Sequence, residues 1–341
     1  MASRTSNHEL ERVRIALIHS VELLSIEAIA VAWFTPISVA TLLSRVGPIL
    51  LRLRKLIFAC ETAMFGYASA ETGLVESLEN FRVSPSELAA SAFVGTGLLG
   101  STSVWVRSVS TSELALAPVS LQQISSRLLA LSEMQQPIVR IEKYASTGAS
   151  SRFIVYIPGT ENLGLPNSNP LDMRSNLQLM AGGTSASSRA TDMAIRRAGA
   201  KPGDQVMLVG YSQGGMVAVQ LGKQSKAAQL DYEVSQVVTF GSPVGSNPAG
   251  ALPNVLSVEN KADFVPHLDA MSNQNAPNWL TLEGNVAKDP LRTHQMESYQ
   301  QIVRDLGNSG EITVRSNIEQ INQFARGEGT QVLIRLGQTT P

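Results

Sequence analysis

Residues 206–216 read V-M-L-V-G-Y-S-Q-G-G-M, and this short stretch limits the folds open to the chain. Four apolar residues lead to Gly210, Ser212 lies between glycines, and an apolar run typical of a helix follows. Glycines are needed where a strand turns sharply into a helix, because a side chain there would clash with the neighbouring backbone. The stretch therefore predicts a nucleophile elbow, with Ser212 at the strained turn above a helix N-terminus. A glycine-rich turn with an incidental serine is the alternative.

The chain around this elbow alternates between strand and helix patterns. Apolar strands are predicted at residues 153–157, 234–240 and 255–259, and a helix is predicted at residues 186–198. Strands alternating with helices indicate an α/β fold, with a doubly wound and mostly parallel sheet covered on both faces. Ligands of such sheets bind at the carboxyl ends of the strands. The polar, proline-containing residues 161–184 are predicted to form a lid or a substrate loop.

A serine hydroxyl needs a general base, and the base needs an orienting group, before it can attack an acyl carbon. His8 and His19, two of the four histidines, lie in the N-terminal helical part. In folds that contain such an elbow, the serine is followed along the chain first by the acid and then by the histidine. Each of these two residues lies on a loop at the end of a strand. His294 follows the apolar stretch 279–282 and fits this order. His267 is the alternative, which would place acid and base on one loop.

The acid is predicted to be Asp263, which follows the strand predicted at residues 255–259. Asp263 precedes Val265-Pro266, a turn that would direct its carboxylate back toward the site. Glu259 and Asp269 are the alternatives on the same part of the chain.

An acyl-transfer site also needs two N–H donors for the oxyanion. One is expected from Gln213, directly after the nucleophile, and the other from the loop that follows the strand at residues 153–157. Pro158 in that loop has no N–H, and Gly159 lets the backbone approach closely. Thr160 is therefore predicted to supply the second donor, and its hydroxyl is a candidate third.

Several ordered motifs resemble those of α/β-hydrolases of the lipase, cutinase and esterase kind, above all actinobacterial members with a G-x-S-Q-G-G elbow. The motifs are Tyr156-Ile-Pro-Gly-Thr160, Gly210-Tyr-Ser-Gln-Gly-Gly215, Phe240-Gly-Ser-Pro243, Asp263-x-Val-Pro266 and His294-x-x-x-x-Tyr299. The resemblance covers residues 135–305 and implies serine esterase, lipase or thioesterase chemistry without a metal or organic cofactor. The chain departs from that pattern at Ala262-Asp263-Phe264, where a second acidic residue is usual.

The N-terminal residues predict a separate helical module. Apolar residues recur at spacings of three and four over residues 10–31 and again over 39–67, with a break at Thr35-Pro36. Two such helices predict an antiparallel hairpin that packs or oligomerises. With Tyr67-x-x-x-Glu71 near its end, the hairpin resembles the WXG-type hairpins exported by type VII secretion systems, although Trp33-Phe34-Thr35 stands near the break instead of the W-x-G turn.

The predicted domains are a helical hairpin or bundle at residues 1–96, a connecting region at 97–134 and an α/β-hydrolase catalytic domain at 135–341. Within the connecting region, residues 121–134 predict a helix. The expected partners are a small-molecule or lipid ester substrate and a helical partner or second copy bound through residues 9–71. Contact of the apolar N-terminal helices with a membrane surface is a further option.

Composition excludes some functions and leaves the compartment open. The net charge of −1 gives no basis for binding nucleic acid, and the single cysteine, Cys60, excludes an intramolecular disulfide. No secretory signal peptide is predicted, because residues 1–14 carry acids as well as bases and lack a short apolar run that ends in a cleavage site. No transmembrane helix is predicted, because the longest uncharged stretch is short and contains Pro36. The chain is expected to be cytoplasmic or exported by a non-classical, type VII-like route.

The sequence thus predicts a serine hydrolase that cleaves carboxylic esters through an acyl-enzyme intermediate. The alternative is a hydrolase-like effector or binding protein, in which the N-terminal helices bind a partner or a membrane. A membrane-surface lipase anchored by those helices is a third interpretation.

Overall fold

The computed structural model describes residues 102–114, 116–145, 150–161, 168–180, 182–269, 271–286, 292–307 and 326–339, with the single residues 319, 321 and 324. The helical domain predicted at residues 1–96, including the partner surface at 9–71, lies outside these residues. Among the helices that the structure describes, none has the length and apolar character needed to cross a membrane.

A mostly parallel sheet of eight strands forms the centre of the structure, in the order β1-β8-β2-β3-β4-β5-β6-β7. The strands from β3 to β7 are parallel, and β2, β8 and β1 extend one edge by antiparallel pairing. With helices on its faces, this sheet confirms the predicted α/β character. The strands are β1 (Val104–Leu114), β2 (Ile138–Ala145), β3 (Ser151–Ile157), β4 (Gln205–Tyr211), β5 (Glu233–Phe240), β6 (Asn254–Asn260), β7 (Trp279–Gly284) and β8 (Gly329–Gln338).

Two of the described helices begin after serines that cap them. The hydroxyl of Ser120 accepts the N–H of Gln123 and caps α1, and Ser185 forms a capping box with Ser188 at the start of α3. Helices α1 and α5 cover one face of the sheet, and α3 and α4 cover the other. The helices are α1 (Leu121–Ser132), α2 (Met173–Met180), α3 (Ala186–Arg197), α4 (Gln213–Lys226) and α5 (Met296–Gly307).

The two faces of the sheet each bury a hydrophobic core, and β3 contributes to both. Phe153 and Val155 pack in the core with α3 and α4, whereas Ile154 and Tyr156 pack in the core with α1 and α5. Successive side chains of a strand point to opposite faces, so a strand covered on both faces must be apolar throughout. This burial explains the continuous apolar pattern from which the strand was predicted.

Part of the fold comes from the region predicted to connect the two domains, where α1 matches the helix predicted at residues 121–134 and β1 was not predicted. The connecting region predicted at 97–134 contributes β1 and α1, and β1 pairs with β8 from the far end of the described chain. Residues 107–112 of β1 are exposed, so they lack the apolar alternation that marks a half-buried strand. The segment predicted at 161–184 to be a lid or a substrate loop contains the helix α2 at residues 173–180, which was not predicted.

A buried carboxylate ties α1 to the sheet. The Glu142 side chain is fully buried, and its oxygens accept hydrogen bonds of 2.6 to 3.1 Å from Arg127, Arg140, Tyr144 and Tyr156. Burial, followed by the charge of Glu142, raises the pKa of both tyrosines above its usual range, so they remain donors. The cluster is stabilising only while every partner is present, since a buried charge without a partner is costly.

Replacing Glu142 with glutamine should therefore lower the free energy of unfolding by about 3 kcal/mol. The amide removes the negative charge that pairs with both arginines and puts two donor hydrogens where donors already converge. Urea denaturation of the full chain measures the loss. The exposed Glu133, at the end of α1, gives a matched Glu133→Gln control that should stay within about 0.5 kcal/mol of wild type. Equal urea midpoints for Glu142→Gln and Glu133→Gln would contradict a stabilising role for the cluster.

Candidate active site

Ser212 lies at a strained turn between β4 and α4. Its backbone angles are φ +52° and ψ −119°, and a side-chain-bearing residue in such a region costs about 1 to 3 kcal/mol. The Ser212 N–H donates to the carbonyl of Phe240 at 2.9 Å, which ties the turn to the end of β5. The turn places the Ser212 side chain at the carboxyl end of the parallel strands.

The glycines around Ser212 allow close backbone approaches. A Cβ on Gly210 would overlap the Gly214 carbonyl, and a Cβ on Gly214 would overlap the carbonyl of Ile157 at the end of β3. The first turn of α4 therefore packs directly on the strand ends, as the glycine pattern predicts.

The structure brings Ser212, His294 and Asp263 together. The Nε2 atom of His294 lies 3.0 Å from Ser212 Oγ, and its Nδ1 lies 2.5 Å from Asp263 Oδ2. The three residues follow β4, β7 and β6, so the carboxyl ends of three parallel strands supply them. The Asp263 side chain is fully buried, whereas that of His294 is 27% exposed, so the imidazole is reachable from solvent and the carboxylate is not.

Both oxygens of the Asp263 carboxylate accept hydrogen bonds from the protein. Oδ1 accepts the N–H of Val265 at 3.0 Å, and Oδ2 accepts the hydroxyl of Tyr299 in addition to facing His294. The Asp263 N–H donates to the Asn260 carbonyl at 2.8 Å, which forms the turn after β6. These bonds hold the carboxylate in one orientation toward the imidazole.

Two residues that sequence reasoning missed position His294. The Tyr211 ring stacks on the imidazole with centroids 5.1 Å apart, and its hydroxyl donates to the His294 carbonyl. The buried Asn260 amide donates to the carbonyl of Thr293 at 2.9 Å and so holds the loop that carries His294. Tyr211 occupies the variable position of the elbow pattern, and Asn260 gives no signal in the sequence.

The alternative acids contact other groups. Glu259 accepts the Asn273 amide at 2.6 Å, and burial, with the charges of Glu283 and Asp269, raises its pKa to about 7. Asp269 accepts the N–H of Ser246 at 2.8 Å, and burial raises its pKa. Neither carboxylate occupies the place that Asp263 takes beside the imidazole.

The alternative histidine, His267, lies in the short 3-10 helix Val265–His267 that follows Asp263. The backbone N–H of His267 donates to the Phe264 carbonyl at 3.0 Å. His294, and not His267, makes the hydrogen bond to Ser212.

The predicted oxyanion donors flank the nucleophile. Gln213 is the first residue of α4, and Thr160 follows Gly159, whose added Cβ would lie 3.3 Å from Ser212 Cβ. Among the described residues, no backbone carbonyl accepts the N–H of Gln213 or Thr160. The Asn176 amide donates to the Thr160 hydroxyl at 2.9 Å, so α2 holds this loop.

A buried aspartate that the sequence did not single out secures the same region. The Asp172 carboxylate accepts the N–H of Ser175 at 2.8 Å and the amide of Gln338 at 2.9 Å. Its carbonyl accepts the side-chain amide of Gln213 at 2.6 Å. Burial raises the pKa of Asp172, and these two carboxylate hydrogen bonds oppose the rise. The start of α2 is thus fixed to the elbow and to the end of β8.

A hydroxyl, an imidazole and a buried carboxylate in this sequence of contacts can move a proton from Ser212 to His294, with Asp263 pairing the charge that forms. In the part of the chain that the structure describes, no cluster of three or more His, Cys, Asp or Glu side chains is placed to hold a metal ion. Comparisons of the chain with protein-family models, with curated proteins and with solved structures gave no significant match.

Proposed function

We propose that the protein is a serine hydrolase of carboxylic esters, with Ser212 as nucleophile, His294 as general base and Asp263 as the group that orients the base. The observation that supports this most is the continuous path of contacts, 3.0 Å from Ser212 to His294 and 2.5 Å from His294 to Asp263. The strained backbone of Ser212 supports it further, because such strain is common at functional sites.

The proposed reaction has two acyl transfers. Ser212 Oγ forms a bond to the acyl carbon as its proton passes to His294 Nε2, and the carbonyl electron pair moves onto the oxygen. The N–H groups of Gln213 and Thr160 stabilise that oxyanion. When it collapses, the bond to the leaving alcohol or thiol breaks, and the leaving group takes the proton from His294. Water then repeats these steps on the acyl-enzyme, which releases the acid and restores Ser212.

We also propose that the chain is an α/β-hydrolase. Support comes from the elbow between β4 and α4, from the parallel strands β3 to β7, and from the order of Ser212, Asp263 and His294 on three strand ends. The resemblance of the sequence motifs agrees with this arrangement. A small-molecule or lipid ester is the proposed substrate, bound at the carboxyl ends of the strands.

Hydrolysis of p-nitrophenyl esters by the full chain tests the proposal. Wild type should release p-nitrophenol well above the buffer rate, and His294→Gln should lose about 10⁴-fold in kcat, because Ser212 then has no base. His267→Gln is the matched control, since it makes the same change at the alternative histidine, and it should keep wild-type activity. Esterase activity that survives in His294→Gln, or a folded wild type that does not exceed buffer, would contradict the proposal.

A further inference from the structure

One oxygen of the site is shared by two groups. Asp263 Oδ2 lies 2.5 Å from His294 Nδ1 and also accepts the Tyr299 hydroxyl. The other oxygen, Oδ1, is engaged by the N–H of Val265. The phenol of Tyr299 therefore competes with the imidazole for the negative charge on a single oxygen.

The Tyr299 ring is held in place independently of Asp263. Tyr299 lies on α5 and is fully buried, and its ring packs edge-on against Phe240 with centroids 6.5 Å apart. The hydroxyl lies against Gly241, which has φ +57° and where a Cβ would overlap the phenol. Burial, and then the charge of Asp263, raises the pKa of Tyr299 well above its usual range. The phenol therefore stays protonated and can donate throughout the neutral range.

A donor on the carboxylate weakens the attraction of that carboxylate for a proton on the imidazole. The neutral imidazole is the form that accepts the Ser212 proton. We propose that Tyr299 is a positioning residue which acts through Asp263. Its hydroxyl fixes the carboxylate and withdraws charge from Oδ2, which keeps His294 in the neutral form that accepts a proton down to a lower pH. This inference rests on the proposed roles of Ser212, His294 and Asp263.

Other titratable groups surround the same site, and the test must distinguish their titration from that of His294. Burial raises the pKa of Tyr211 above its usual range, so this phenol does not titrate near neutral pH. Burial raises the pKa of Glu161 and of Glu259 to about 7, which falls in the range where a histidine titrates. The exposed Glu297 at the start of α5 adds negative charge. Activity alone would mix these titrations, so the signal of His294 itself is the required readout.

The test is a titration of the imidazole carbons by NMR in full-length protein that carries 13C-labelled histidine. There are four histidines, and His294→Gln identifies the signal of His294. In Tyr299→Phe the titration midpoint of His294 should rise by about 0.5 to 1 pH unit. The acid limb of kcat/KM against pH should move upward by the same amount.

Tyr232→Phe is the matched control. Tyr232 is also buried, and its hydroxyl donates at 2.9 Å to a carboxylate, Asp192 on α3, that is not part of the proposed site. It should move neither the His294 midpoint nor the acid limb. A fluorotyrosine at position 299, which is a stronger donor, should lower the midpoint, and this substitution keeps the test available if Tyr299→Phe does not fold.

An unchanged His294 midpoint in folded Tyr299→Phe, with activity lowered equally at every pH, would overturn the inference, because a purely structural role predicts that result. A His294 titration midpoint that does not move when fluorotyrosine replaces Tyr299 would also overturn the inference. If the midpoint moves as expected while wild type hydrolyses no ester, the inference about Tyr299 stands and the proposed function fails.

Discussion

Ser212→Ala is expected to lower kcat for an activated ester by roughly 10⁴- to 10⁶-fold without unfolding the protein. The loss is large because the substitution removes the atom that we propose forms the acyl-enzyme. The fold should survive because the Ser212 hydroxyl does not cap α4, and the backbone N–H bond to Phe240 is kept. Steady-state kinetics with a p-nitrophenyl ester and a thermal melt measure the two effects.

Two controls sharpen this expectation. Ser126→Ala makes the same change at an exposed position on α1 and should leave kcat unchanged. The double variant Ser212→Ala with His294→Gln should be hardly slower than either single variant, because nucleophile and base act as one unit. A loss of less than tenfold in Ser212→Ala, or losses that multiply in the double variant, would count against the assigned roles.

Asp263→Asn is expected to lower kcat by about 10⁴-fold while the protein remains folded. An asparagine amide can take two orientations here, and neither reproduces the carboxylate. With its NH₂ toward His294 it forces the imidazole into the tautomer that cannot accept the Ser212 proton. With its oxygen toward His294 it points the NH₂ at the Val265 N–H, which leaves two donors facing each other.

The control for this variant is Glu259→Gln, which makes the same chemical change on a carboxylate that bonds Asn273 instead of the base. It should stay within a few-fold of wild type. The kcat of each variant is measured at its own pH optimum, and circular dichroism checks that the variant is folded. Equal losses in both variants would show that Asp263 has no special relation to His294.

The elbow was predictable because its signal is local. Glycines at positions 210 and 214 are needed for the approach of α4 to the strand ends, and that need is visible in a few consecutive residues. The continuous apolar run of β3 likewise reflects burial on both faces. Asp263 and His294 could be placed near Ser212 because the carboxyl ends of parallel strands meet at one edge of the sheet.

The remaining features depend on contacts that a local pattern does not contain. The hydrogen bond between Asp172 and Gln338 joins residues 166 positions apart, and the pairing of β1 with β8 spans a still longer stretch of the chain. Exposed β1 has no apolar alternation, so only its partner defines it as a strand. Tyr299 stood in a sequence motif, but its bond to Asp263 became visible only when α5 was placed beside the loop after β6.

The N-terminal predictions stay predictions. The helical hairpin at residues 1–96, its resemblance to type VII exported hairpins, the partner surface at 9–71 and the effector and membrane-anchored alternatives all fall outside the described residues. The proposed ester hydrolysis depends on none of them, because Ser212, Asp263, His294 and their hydrogen-bond partners lie within the described part of the chain.

Reaction of the purified full chain with a fluorophosphonate, followed by mass spectrometry of its peptides, asks whether the serine is activated. The probe needs a nucleophilic serine but not the natural substrate, so it does not depend on acyl-chain length. We predict one adduct, on Ser212, that forms quickly in wild type and is lost in Ser212→Ala and His294→Gln. A folded wild type that takes up no probe, or an adduct that persists on another residue in Ser212→Ala, would contradict the proposed site.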